Sequence, residues 1–137
     1  MKFSYREYFM KSINSGCKEE DFTSEIILNV RELVKRITSL GYEPPMYFSS
    51  CLRSKDVHKR IYTEKGVPEN KIPWGSKHLS GQAADVADPD GKLADWLMIN
   101  DKKVEESRLW VEHPDFTKGW VHFQSVPPKS GKRFFIP

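Results

Sequence analysis

The chain has 137 residues, enough for one ordinary domain that buries about two-thirds of its unfolded surface, and at 38% hydrophobic and 12% aromatic it reads as globular. Its 22 Lys and Arg against 19 Asp and Glu leave a net charge of only +3. The signs are interleaved, so the basic stripe of a nucleic-acid binder is missing and no nucleic-acid partner is expected.

Cys17 and Cys51 share neither a zinc-ribbon nor a disulfide-framework spacing, and both are expected to be reduced. MKFSYREYFMKS lacks the apolar core of a secretory signal, and no run approaches the ~20 apolar residues of a membrane span. The expectation is one soluble domain over 1–137, without membrane insertion, made in a cytoplasm and monomeric by default.

In chain order, Tyr5, Tyr8 and Phe9 at helical offsets predict a short helix that ends at Ser15-Gly16. In DFTSEIILNVRELVKRITSLGY, residues Ile26, Ile27, Val30, Leu33, Val34 and Ile37 form one apolar helical face, with Thr23 or Ser24 as cap and Gly41 as stop. Pro44-Pro45 break the pattern, MYFSSCL reads as a strand leading into Arg53, and SKDVHKRIYTEKG as a second, shorter helix. A Pro- and Gly-bearing loop reaches Gly75, DPDG forms a turn, and GKLADWLMIN a short helix. RLWVEH and GWVHFQSV close the chain as a strand hairpin. These elements predict an α+β domain with helices packed on a small antiparallel sheet.

The chemistry concentrates in SKHLSGQAADV, Ser76 to Val86. Gly81, Ala83 and Ala84 remove bulk between His78 and Asp85, so both side chains can face one site. Asp85-Val86-Ala87 alternates as a strand with its carboxylate off one face and its valine in the core. A histidine nitrogen and a carboxylate oxygen suit zinc, which in catalytic sites takes three protein ligands and a water. In GWVHFQ, Trp120, His122 and Gln124 share one strand face and Val121 and Phe123 the other, which makes His122 the best third ligand. The competing reading is a solvated hairpin face.

The pattern Ser76-x-His78-x-x-Gly81-x-Ala83-x-Asp85, followed downstream by a Trp-x-His strand, resembles the zinc D-alanyl-D-alanine carboxypeptidases, the vancomycin-resistance dipeptidases and related phage endolysins. Their catalytic domains share an architecture with lysostaphin and the Hedgehog signalling domain. SSCLRSKDVHKR is similar to the upstream segment of that family, with Arg53 at its arginine position, so the likeness spans most of the chain. It implies a zinc ion held by His78, Asp85 and His122, with Ser76 and Arg53 contacting substrate or the developing oxyanion. It further implies a peptidoglycan-peptide substrate, hydrolysed by a carboxypeptidase or an endopeptidase. If the chain is phage-encoded, it would be made in the host cytoplasm and act on the cell wall.

The departure is the general base. Many members of that family carry Glu or Asp three residues before the last histidine, and here that position is Gly119. Glu112 is the candidate replacement, provided the hairpin places it opposite Trp120 or His122; one residue of register slip would turn it away. Asp115 and His113 are weaker alternatives, with His113 also a candidate for substrate binding, and Gln82 a buttress of the loop. Two other classes compete: a non-catalytic zinc module that binds cell wall or a partner, which Gly119 favours, and a metal-free wall-binding or virion domain.

Overall fold

The computed structural model describes residues 3–137; residues 1 and 2 of the expected 1–137 domain lie outside that range. Five α-helices surround a five-stranded sheet: α1 (Tyr5–Asn14), α2 (Ser24–Thr38), β1 (Phe48–Ser50), α3 (Lys55–Glu64), β2 (Ala83–Ala87), α4 (Lys92–Ile99), α5 (Asp101–Glu106), β3 (Trp110–Glu112), β4 (Trp120–Gln124) and β5 (Phe134–Phe135).

The strand order is β1-β2-β4-β3-β5. The first three pairings are antiparallel, but β5 runs parallel to β3, with Val111 beside Phe134 and Glu112 beside Phe135. The sheet is therefore mixed, which corrects the antiparallel expectation. The cause is the tail: after β4 the chain turns through Pro127-Pro128 and Gly131 and comes back along the far edge of β3.

The amphipathic pattern builds α2 as read. Thr23 caps it by accepting from the Ile26 N–H (3.3 Å), and Val30, Leu33, Val34 and Ile37 are buried at the i, i+3, i+4, i+7 spacing. They pack with Ala84 and Val86 of β2, Val121 and Phe123 of β4, Val111 of β3, Leu93 and Leu97 of α4 and Val104 of α5 in one core. Tyr8, fully buried on α1, donates its hydroxyl to the Ala83 carbonyl (2.9 Å) and so ties α1 to β2. α4 starts on the buried carboxylate of Asp88, which accepts from the Leu93 and Ala94 N–H groups (3.0 and 2.9 Å).

Because side chains alternate across a strand, the residues facing away from this core line up across the sheet. Ser50 pairs with Asp85, Asp85 with His122 and Glu112 with Phe135. The β3–β4 ladder pairs Trp110 with Gln124 and Val111 with Phe123, and its next step sets Glu112 beside His122. One transverse row thus carries a serine, an aspartate, a histidine and a glutamate.

Candidate metal centre

His78 comes from a 3-10 turn, Lys77–Ser80, whose cap is Ser76; the Ser76 hydroxyl accepts from the His78 N–H (3.3 Å). The turn ends on Gly81 in a left-handed conformation (φ 73°) and lies against α2. A Cβ at Gly81 would stand 2.8 Å from Val30 Cγ2 and 3.1 Å from Ile26 Cγ2, and Asn29 Nδ2 donates to the Ser80 carbonyl (3.0 Å). The clearance that glycine provides in this motif is thus used by α2, while Gln82 braces the turn by accepting from Ser80 Oγ (2.7 Å).

His78, Asp85 and His122 converge: one ligand atom from each lies within 4.8 Å of the other two. All three side chains are nearly removed from solvent, at 4%, 12% and 12% exposure. His78 Nδ1 stands 2.8 Å from the Cys51 carbonyl. A carbonyl only accepts, so Nδ1 carries the proton and Nε2 keeps its lone pair. Nε2 faces Asp85 Oδ1 at 3.4 Å, longer than the ~2.7–2.9 Å of a charge-assisted hydrogen bond.

His122 is fixed from both sides, with Nδ1 2.9 Å from Asp85 Oδ1 and Nε2 3.0 Å from Gln124 Oε1. The Gln124 amide is oriented by its own N–H donation to the Val126 carbonyl (2.9 Å), so its oxygen is the atom turned to the ring. Each imidazole therefore has its outer nitrogen held by a protein acceptor and its inner nitrogen aimed at Asp85, the arrangement that orients metal-ligating histidines.

Charge states agree with this geometry. Burial pushes the Asp85 pKa up, but the hydrogen bond from His122 and the contact with His78 outweigh it, holding the carboxyl well below the usual range. Burial lowers the His78 pKa against the pull of Asp85, so that ring is neutral. Burial opposes protonation of His122 as well, yet hydrogen bonds to Asp85 and Gln124 and the charges of Asp85 and Glu112 leave its pKa raised. The His78 Nε2 lone pair faces Asp85 Oδ1, whose donor is the His122 Nδ1–H, and a cation taking the place of that proton would satisfy all three atoms. The triad can hold a metal ion.

Glu112 is half-buried beside this centre; burial raises its pKa, Asp85 adds to the shift and His122 opposes it. Arg53 reaches the same row from the loop after β1: its Nη2 donates to Ser50 Oγ (3.1 Å), and its backbone N–H donates to the His78 carbonyl (3.1 Å). Ser76 caps the turn under His78. His113 turns into the 114–116 segment, where its Nδ1 accepts from the Asp115 N–H (3.2 Å) and its ring meets Phe116 edge-on. Asp115 is exposed in the same turn. Gln124 and the Cys51 carbonyl are positioning partners beyond the expected residues; Gln124 was readable only as a member of the His122 face, and a backbone carbonyl leaves no mark in a sequence.

Among the described residues no helix is long and apolar enough to cross a membrane, and Cys17 and Cys51 are both free and buried. Comparison of the chain with protein-family models, with curated proteins and with solved structures finds no match in any of the three.

Proposed function

We propose that this protein is a zinc-dependent peptidase that hydrolyses peptidoglycan stem peptides. The observation that carries the reading is the buried His78–Asp85–His122 triad with each histidine's outer nitrogen already bonded. Two imidazoles and one carboxylate are the donor set of catalytic zinc. Asp85 Oδ1 lies 3.4 Å from His78 Nε2 and 2.9 Å from His122 Nδ1, so His78, Asp85 and His122 would be the residues that hold the ion. The substrate class rests on the likeness of the Ser76–Asp85 segment and the Trp120-x-His122 strand to the wall peptidases.

A bound zinc ion supplies Lewis acidity, making a water nucleophilic near neutrality and polarising the scissile carbonyl. Glu112 takes the proton from the attacking water on its carboxylate and returns it to the leaving amine. In the metal-free site burial raises the Glu112 pKa, which makes its carboxylate more basic than that of an ordinary glutamate. Arg53, held on the row by Ser50, places a fixed positive charge where the carbonyl oxygen becomes anionic. Ser76 orders the turn that carries His78.

The test is mass spectrometry of peptidoglycan fragments after incubation with zinc-loaded protein, with and without chelator. Loss of a terminal D-alanine marks a carboxypeptidase, and an internal cut marks an endopeptidase. Unchanged fragments in both arms would support the second reading, a non-catalytic zinc module, which the bare Gly119 at the usual base position favours.

A further inference from the structure

Among the described residues, three buried side-chain polar atoms lack a hydrogen-bond partner: Arg53 Nε, His58 Nδ1 and Thr117 Oγ1. Two of them flank a single helix start. α3 begins at Lys55 on the cap Ser54, so Arg53 immediately precedes the cap and His58 is the fourth helical residue. Side chains at these two positions meet across a helix N-terminus in the hydrophobic staple. The His58 N–H donates to the Ser54 carbonyl (2.9 Å) and closes that turn.

The two atoms are also complementary. His58 is fully buried, packed between the rings of Tyr62 and Trp74, with Nε2 3.0 Å from the Pro73 carbonyl. That carbonyl accepts, so Nε2 carries the proton and Nδ1 of the neutral ring is an acceptor. Burial, the largest influence on this ring, keeps it neutral. Arg53 Nε is always a donor. An atom left unpaired inside a protein carries its full desolvation penalty, and pairing the two removes both penalties.

We propose that Arg53 and His58 form a polar staple, Arg53 Nε–H reaching His58 Nδ1 through one buried water, and that His58 is thereby the positioning residue for the Arg53 guanidinium. With Nε held by His58 and Nη2 by Ser50 Oγ, the guanidinium plane is fixed at two points. The catalytic consequence rests on the role given to Arg53 above; the staple itself does not.

The experiment is proton–nitrogen NMR of the Arg53 Nε–H group and the His58 ring in the full chain, with two variants that separate the two ring nitrogens. His58→Gln can still donate to Pro73 but has no acceptor at the Nδ1 position; His58→Asn keeps an oxygen there and gives up the Pro73 contact. In wild type the Arg53 Nε–H exchanges slowly and His58 shows the Nε2–H tautomer. His58→Gln speeds that exchange by about tenfold or more, the loss of one hydrogen bond to a charged group, and lowers kcat with KM nearly unchanged, whereas His58→Asn retains protection. An Nδ1–H tautomer, or an Arg53 Nε–H in wild type that exchanges as fast as those of exposed arginines, overturns the staple even if a variant does not fold. Absence of hydrolysis would overturn the proposed function and leave the NMR result to decide the staple on its own.

Discussion

Asp85 Oδ1 accepts from His122 Nδ1 at 2.9 Å while Gln124 Oε1 receives the other ring nitrogen at 3.0 Å. With acceptors at both nitrogens, the metal-free ring is stabilised as the imidazolium, and its pKa is raised. Metal binding must then displace the Nδ1 proton. Below the raised pKa of His122, zinc binding should release about one proton from this ring, and apparent affinity should rise up to about tenfold per pH unit. Above that pKa both effects fade. His78, already neutral through burial, adds proton release only at lower pH. Calorimetric titration with zinc in buffers of different ionisation enthalpy measures this; no proton release at any pH would refute the His122 assignment.

Gln124 is 6% exposed and its amide is locked by Val126. Gln124→Leu removes the acceptor without adding polarity, and should weaken zinc binding by about 10–100-fold, as losses of ligand-orienting partners do. Gln124→Glu restores an acceptor and should recover most of that affinity. Competition titration against a zinc-sensitive dye reports both, and equal affinity in wild type and Gln124→Leu would count against the orienting role.

Glu112→Gln should leave the metal bound and lower turnover by about 10²–10⁴-fold, the range for loss of a general base. Because burial raises the Glu112 pKa, the carboxylate forms later than that of an ordinary glutamate as pH rises. With zinc kept saturating at every pH, so that loss of metal on the acid side is excluded, the acid limb of kcat/KM in wild type should report this carboxylate and disappear in the variant. Retained turnover in Glu112→Gln would move the base elsewhere.

Gly81→Ala tests the support of the turn beneath His78. The left-handed φ of 73° and the approach of Val30 Cγ2 at 2.8 Å both oppose a side chain, so the change should destabilise by about 1–3 kcal/mol. Urea unfolding of the metal-free protein measures the cost directly, and an unchanged midpoint would show that α2 yields.

Much of the site was legible because strand alternation and motif spacing are local properties. His78, Asp85 and His122 each had a sequence signal, and the split of Val121 and Phe123 from His122 is the one observed. Register between β3 and β4 was not fixed in advance, since the 113–119 connection is a turn of irregular geometry; only the ladder decides that Glu112 faces His122 and not Trp120. The parallel β5 was hidden because two phenylalanines after a Pro- and Gly-bearing turn carry no directional information. α5 has a single buried apolar residue, Val104, in an otherwise charged segment, too little for periodicity to register.

The central claim is that these three residues together hold one zinc ion, and elemental analysis of protein reconstituted with zinc and then desalted tests it most directly. Wild type should retain about one equivalent per chain, and His78→Ala, Asp85→Ala and His122→Ala should each lose most of it, since a structural zinc site uses four ligands and a catalytic one no fewer than about three. Circular dichroism on the same samples confirms that each variant is folded. Full zinc occupancy in the folded variants, or none in wild type, would contradict the account.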